Sequence, residues 1–388
     1  MKKNFFYIFV LISLFNSCVS EFNADLPFED LEILIVDGSI IENSDVTFYL
    51  SKSIPLNTSY SPEESLNVIA DLSIIGSDGY KSLPTKYLGR GAYLFSVGEL
   101  KDNVEYGIKI EYNGDIYQSD LAIPLRTPEI DSISWVQPEE KGDVFFRVST
   151  HDDSGEAKFF IWSYTEDWEI TAYFYVNFFF SPVENSFYYA DPSNFYCWRK
   201  NTSNKFLIGS AESLKESRII NKQLFSCMPT DSRFSNLYSI NVVQRATTKR
   251  AFEYYQNKIV LNEEMGGLFT PQPSEIMGNI VCVTDPSKRV MGFVETVKNT
   301  TQKRIFVSRE KITRPFLSSH CTSITTDSLR IILDEFNGTF VDAYKLGYRP
   351  ITAGMFMEPS EWSTDVCTDC TKNGGSKIKP DFWPNDHE

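Results

Sequence analysis

Two cysteine settings carry residue types suited to covalent chemistry. Cys18 closes a leader that reads Met1-Lys2-Lys3-Asn4, runs apolar from Phe5 to Leu14 and ends Phe15-Asn16-Ser17. Two lysines ahead of roughly 11 apolar positions form the n- and h-regions of an export signal. A membrane-spanning helix needs about 20 apolar residues, so the stretch is too short to remain as an anchor. A small residue directly before the cysteine suits lipoprotein processing, in which the thiol is diacylated and the cysteine becomes the new N terminus. Cleavage after Ser20, releasing a soluble product, is the alternative. The second setting is Cys367-Thr368-Asp369-Cys370. A redox pair needs a helix N terminus that lowers the thiol pKa, and here the flanking Ser, Thr, Asn and Gly-Gly show no helical period. Structural zinc needs four ligands, and no second close Cys/His pair supplies them. A local structural disulfide is the expectation.

The chain holds seven cysteines; setting Cys18 aside leaves Cys197, Cys227, Cys282, Cys321, Cys367 and Cys370. An even number in an exported chain predicts a disulfide framework whose connectivity the sequence leaves open. Order along the chain makes Cys197–Cys227, Cys282–Cys321 and Cys367–Cys370 the simplest pairing. The formal net charge of −15 opposes phosphate backbones and argues against nucleic-acid binding. It suits solubility outside the cell and attraction to cationic patches on a partner. The three histidines, His151, His320 and His387, are mutually distant, which disfavours a histidine metal site or a serine–histidine triad. Asp152-Asp153-Ser154-Gly155-Glu156 lacks the alternating ligands and distal glutamate of a calcium loop and reads as a solvated turn. No spacing singles out a carboxylate pair for glycoside hydrolysis. No metal, cofactor or catalytic residue is expected.

The elements that must position these residues read as mainly β. After the leader (1–17) and a lipidated tether (18–30), strand signals begin at Leu31. Ala70, Leu72 and Ile74 alternate with polar residues, and Tyr106 to Tyr112 alternates again before Asn113-Gly114, a strong hairpin signal. Short strands between Gly, Asp and Asn turns predict an antiparallel sandwich over 31–127. Thr127-Pro128 reads as a domain boundary. Beyond it, residues 130–388 read as a second β-rich domain with one inserted helix, about 248–261, capped by Thr247 and stopped by Gly266-Gly267. Leu329–Leu333 reads as a strand.

Residues 159–198 are dense in Phe, Tyr and Trp. Such residues either pack the half-buried surface of a strand or form a platform for a glycan or a protein. Trp168 and Trp198, each beside charged residues, are the exposed candidates.

Several ordered motifs carry a resemblance. Leu207-Ile208-Gly209-Ser210 precedes Phe252-Glu253-Tyr254-Tyr255 and Phe269-Thr270-Pro271-Gln272-Pro273. Cys367-Thr368-Asp369-Cys370, Gly374-Gly375 and Lys379-Pro380-Asp381-Phe382-Trp383 close the chain. From about Leu31 to Trp383 the sequence resembles the Bacteroidota outer-membrane lipoproteins grouped as domain-of-unknown-function family 4249. The resemblance implies an immunoglobulin-like N-terminal domain and an accessory role beside a TonB-dependent transporter. It carries over no catalytic residue. Phe382 and Trp383 are expected to pin the terminus, either as a plain clasp or as a docking surface for that transporter. The expectation is a non-enzymatic, lipid-anchored outer-membrane protein that helps a transporter capture or gate its ligand. A stand-alone glycan- or protein-binding adhesin is the alternative.

Overall fold

A computed structural model describes residues 33–54, 62–191, 193–264, 276, 278–315, 320–334, 338–354 and 358–384. The leader, the tether with Cys18 and the Pro271–Pro273 segment lie outside the described residues. The first module runs through β1 (Leu34–Ile41), β2 (Ser44–Lys52), α1 (Pro62–Leu66), β3 (Asp71–Gly76), β4 (Lys81–Ser82), β5 (Lys86–Gly89), β6 (Ala92–Val97), β7 (Tyr106–Tyr112) and β8 (Asp115–Ser119). Asn113 and Gly114, at φ 52° and 84°, turn β7 into β8 and pair Tyr112 with Asp115. Two left-handed residues give a two-residue loop the twist that the flanking strands need.

The second module follows with β9 (Ile130–Val136), β10 (Val144–Asp152), β11 (Phe159–Thr171), β12 (Phe178–Ser181), β13 (Ser186–Tyr189), β14 (Tyr196–Thr202), β15 (Leu207–Ser210), β16 (Ser217–Cys227), β17 (Leu237–Thr247) and α2 (Lys249–Glu264). Then come β18 (Ile280–Cys282), β19 (Val290–Val297) and β20 (Thr301–Ser308). The chain closes with β21 (Ile324–Thr325), α3 (Thr326–Asp334), α4 (Phe340–Lys345), β22 (Tyr348–Ala353), β23 (Pro359–Thr364) and α5 (Asp365–Thr368).

Residues 31–127 do not complete their own sandwich. Its sheets are ordered β19-β1-β2-β6-β5 and β18-β8-β7-β3-β4, so each takes one strand from beyond the second module. Strand β19 lies parallel to β1, from Leu34↔Val290 to Ile41↔Val297, and β18 lies antiparallel to β8. A parallel neighbour cannot be reached by a hairpin. Here the whole stretch β9 to α2 serves as the crossover. Phe48, Phe95, Tyr106 and Ile108 fill the space between the sheets, and Ile280, Cys282 and Val294 complete that core.

The second sandwich faces sheet β16-β10-β9 against β14-β11-β17-β20, around Phe146, Phe160, Trp162, Phe234 and Tyr238. Strand β11 is buried on both faces. Phe160, Trp162, Tyr164, Trp168 and Ile170 point into this core, while Ile161 packs with Ala251 and Tyr255 of α2. Thr248 rather than Thr247 caps that helix, its Oγ1 accepting from the Ala251 amide at 3.2 Å. Thr247 is drawn away because its hydroxyl donates to buried Glu295.

The expected boundary at Thr127-Pro128 is a wired junction rather than a linker. Thr127 is buried; its amide donates to Asn299 Oδ1 (2.9 Å) and its Oγ1 accepts from the Ala246 amide (2.9 Å). The Pro128 carbonyl accepts from Gln244 Nε2 (2.8 Å) and Thr301 Oγ1 (2.9 Å). Nearby, Glu295 of the first sandwich receives Arg245 Nη2 (2.9 Å) from β17 and the Tyr255 hydroxyl (3.1 Å) from α2. Burial, then the neighbouring Glu295 carboxylate, pushes the Tyr255 phenol upward, so it stays a donor.

A small third unit caps the second sandwich. Hairpin β12–β13 and sheet β21-β23-β22 enclose Trp362, which donates from Nε1 to Thr326 Oγ1 (3.1 Å) and stacks on Phe340. Leu329–Leu333, expected as a strand, belongs to helix α3. Leu329 and Leu333, four apart, share the face that packs against Trp362.

The observed disulfides are Cys197–Cys370 and Cys321–Cys367, so none of the three chain-order pairs forms. Cys367 lies on α5 and Cys370 on the 3₁₀ turn Cys370–Asn373; Asp369 between them is extended (φ −138°, ψ 109°), which sends the thiols to different partners. Cys227 and Cys282 remain thiols, one on a strand of each sandwich, while their expected partners Cys197 and Cys321 bond to Cys370 and Cys367. Burial pushes the Cys227 thiol up to about 12.

The C terminus folds back onto the outer face of β11. Trp383 is buried, donates from Nε1 to Glu169 Oε2 (3.0 Å) and meets Phe306 edge-on. Glu169 also accepts from Asn236 Nδ2.

Two outcomes follow. Thiol titration under non-reducing conditions should find no fast-reacting cysteine in the native, lipidated protein and two after unfolding; four or six would disprove this pairing. Trp383→Ala removes a buried ring and a donor to buried Glu169, and should cost about 3–5 kcal/mol in denaturant unfolding. A loss within the range of surface substitutions would show that the terminus is not a clasp.

Candidate ligand cleft

The four aromatic residues singled out for contact are placed differently from one another. Trp168 is only 9% exposed and belongs to the second core, and Trp198 is half-buried. The expectation that charged neighbours keep Trp168 at the surface is overturned, because those neighbours, Glu166, Asp167 and Glu169, are themselves buried and paired. Trp198 is tied by its backbone to Ser376, donating and accepting at 2.8 Å. Trp383 is the clasp described above. Phe382 keeps 41% exposure, with the Arg304 guanidinium 3.5 Å from its ring centroid.

The aromatic stretch splits at the end of β11. Up to Ile170 it is core; beyond, it builds one side of a cleft. Hairpin β12–β13 pairs Phe178 with Tyr189, Phe179 with Tyr188 and Phe180 with Phe187. Phe178 and Phe180 are buried and pack on Phe187 across the hairpin, and Phe180 also meets Tyr344 of α4. Phe179 and Tyr188 stack on each other at 5.8 Å, and Tyr188 is 44% exposed. Together these rings line a cleft of about 400 Å³.

Polar groups line the other side. The Arg349 guanidinium of β22 lies 3.7 Å from the Tyr344 ring centroid and donates from Nη1 to the carbonyls of Tyr344 (2.7 Å) and Tyr348 (2.8 Å). Asp365 of α5 stands 3.8 Å from Arg349 Nη2 and 3.9 Å from Lys372 Nζ, so both cations face one carboxylate. Asp369 is held by three hydrogen bonds: Oδ1 accepts from the Thr371 amide (2.9 Å) and hydroxyl (2.6 Å), and Oδ2 from Asn194 Nδ2 (2.9 Å). Such a carboxylate fixes a turn.

Both disulfides end on this polar side. Cys370 is bonded to β14 and its amide donates to the Asn194 carbonyl (3.0 Å). Cys367 is bonded to Cys321, and its carbonyl accepts the amides of Tyr173 and Phe174 (3.0 Å each). The side is therefore fixed at both cysteines before any ligand arrives.

The motif Cys367-x-Asp369-Cys370 was legible as structure, though not as a cleft wall. Tyr188 falls within the aromatic stretch 159–198 without being singled out, and Arg349, Asp365 and Lys372 carry no sequence signal for a site. They come from four separate elements, and no local spacing connects them.

Residues 19–303 match the family described as domain of unknown function DUF4249. The match ends before α3, so the C-terminal cysteine block and Arg349, Asp365 and Lys372 lie beyond it. No curated protein matches the chain in sequence. Among solved structures, a two-fibronectin-type-III-domain segment from chicken tenascin is similar at 12% identity, covering 54% of this chain and 88% of that one with a TM-score of 0.14. A score that low carries no argument. The immunoglobulin-like character of the mainly β fold rests on the paired sheets themselves. The family match, in contrast, spans well over half the sequence: the chain belongs to the DUF4249 family.

Proposed function

We propose that this protein is a non-enzymatic, lipid-anchored outer-membrane protein that captures a ligand in the cleft and serves as an accessory to a TonB-dependent transporter. The cleft carries the reading: about 400 Å³ falls within the ~300–1,000 Å³ of small-molecule sites. Its aromatic side and its polar side are rigid and already in place, which lowers the ordering cost of binding. Asp369 accepts three hydrogen bonds that fix a turn, and Asp365 stands between two cations, an arrangement that favours holding a ligand over acid–base catalysis.

The anchor rests on the leader and Cys18, and two disulfides suit an oxidising envelope. The transporter as partner rests on the resemblance to accessory lipoproteins. The cleft draws its lining from residues 176–194 and 344–372, none of them in the first sandwich. That sandwich, which follows the tether, is then free to stand between membrane and cleft.

Cys18→Ser should move the protein from the membrane to the soluble fraction of the envelope; retention in the membrane would remove the lipid anchor from the reading. A mild-detergent pull-down of C-terminally tagged protein from outer membranes should recover a β-barrel transporter at comparable stoichiometry. Recovery of the lipoprotein alone, under conditions that preserve other such complexes, would replace the accessory role with a stand-alone adhesin.

A further inference from the structure

Resting on the capture reading, the geometry points to a ligand class: we infer that the cleft takes a neutral oligosaccharide, one sugar face lying on Tyr188 and its hydroxyls meeting Asp365, Lys372 and Asn194. Three observations carry this. The first is the exposed ring of Tyr188, braced from behind by Phe179 at 5.8 Å. A braced aromatic face offers a flat apolar surface and a negative quadrupole, which suits the polarised C–H face of a pyranose.

The second is charge. Arg349 and Lys372 both point at Asp365, at 3.8 and 3.9 Å. Asp369 is held in its turn by Thr371 and Asn194. Counted over the lining, Arg349 and Lys372 stand against the three carboxylates Asp191, Asp365 and Asp369, so an anionic ligand meets no excess of positive charge, and the chain's net charge of −15 repels one at a distance. A cationic ligand would meet Arg349 and Lys372 beside Asp365.

The third is hydrogen-bonding capacity. Lys372 offers ammonium donors, and Asp365, at distances too long for saturated hydrogen bonds to its cations, keeps acceptor capacity. Donors and acceptors set close together on a rigid side match vicinal hydroxyls, each of which both donates and accepts. A peptide added to a strand edge would be held by main-chain hydrogen bonds rather than by Asp365 and Lys372. An apolar ligand would leave these polar groups buried and unpaired, at a cost that opposes binding.

The test uses the full-length, detergent-purified protein in titration calorimetry. The probes are short neutral gluco-, manno-, galacto- and xylo-oligosaccharides, with oligogalacturonates and neutral peptides for comparison. At least one neutral oligosaccharide should bind, with little dependence on salt. Tyr188→Ala should weaken it about tenfold while leaving the unfolding transition in place, and Tyr188→Phe should stay within about twofold. Lys372→Ala should cost about threefold to tenfold. The inference falls if no neutral oligosaccharide binds, if only oligogalacturonates or peptides bind, or if Tyr188→Ala leaves the affinity unchanged. Recovery of a transporter in the pull-down without sugar binding would remove the ligand class and keep the accessory reading. Sugar binding without a transporter would do the reverse.

Discussion

Three carboxylates buried on a single strand are the constraint around which the second half of this protein is organised. Glu166, Asp167 and Glu169 of β11 are 1%, 4% and 0% exposed. Removing one partner from a buried pair typically costs about 3–5 kcal/mol, so each carboxylate obliges the fold to bring donors to it. Glu166 receives Arg233 Nη1 (3.0 Å), the Tyr238 hydroxyl (2.7 Å) and Asn201 Nδ2 (2.8 Å). Burial and then the Glu166 charge hold the Tyr238 phenol well above its usual range, which keeps that donor protonated. Asp167 receives Arg304 from β20, and Glu169 receives Trp383 and Asn236. The donors come from β14, from the 3₁₀ turn Ser232–Phe234, from Asn236 and β17 after it, from β20 and from Trp383. Strand β11 is thus the place where the order of the second sandwich is enforced.

The C-terminal segment is held by the same logic at longer range. Trp383 docks on Glu169, and the preceding residues reach β14 through Cys197–Cys370 and the Trp198–Ser376 bridge. With Cys321–Cys367 they fix the polar side of the cleft against the hairpin of aromatic residues. Loop-closing cross-links contribute by restricting the unfolded chain, commonly about 2–4 kcal/mol each. Here they also place Asp365, Asp369 and Lys372 where the third unit needs them. Stability and the shape of the cleft are therefore set by one set of contacts.

The two sandwiches are joined in a way that limits their independence. Strands β18 and β19 belong to the first, yet they are made only after β9 to α2 have been traversed. Glu295 on β19 is held by Arg245 of β17 and Tyr255 of α2, and Thr127 is held by Asn299 and Ala246. Such non-local pairing places folding at the slow end for domains of this size, because loop closure precedes the contacts that reward it. It also couples the sandwich beside the tether to the module that carries the cleft.

What the sequence determined was local. Alternation located β3 and β7, Asn113-Gly114 located their neighbouring hairpin turn, and helical spacing located α2 to within a few residues. Trp383 was legible as a terminal anchor, while the even cysteine count pointed to a framework of six, of which four form two disulfides and Cys227 and Cys282 stay free. Periodicity reports which way a side chain points from its own backbone, and in these stretches that is enough. Where the outcome depended on a distant partner, only the tertiary structure decided it. Leu329 and Leu333 fit a short strand until Trp362 offers a face for a helix. Glu166, Asp167 and Glu169 made Trp168 read as exposed, because the arginines, tyrosine and tryptophan that compensate them lie far away in the chain. The cysteines paired against chain order, and Tyr188, Arg349, Asp365 and Lys372 met in one cleft, for the same reason. A charge or a thiol finds its state from what surrounds it in space, and sequence spacing records only what surrounds it along the chain.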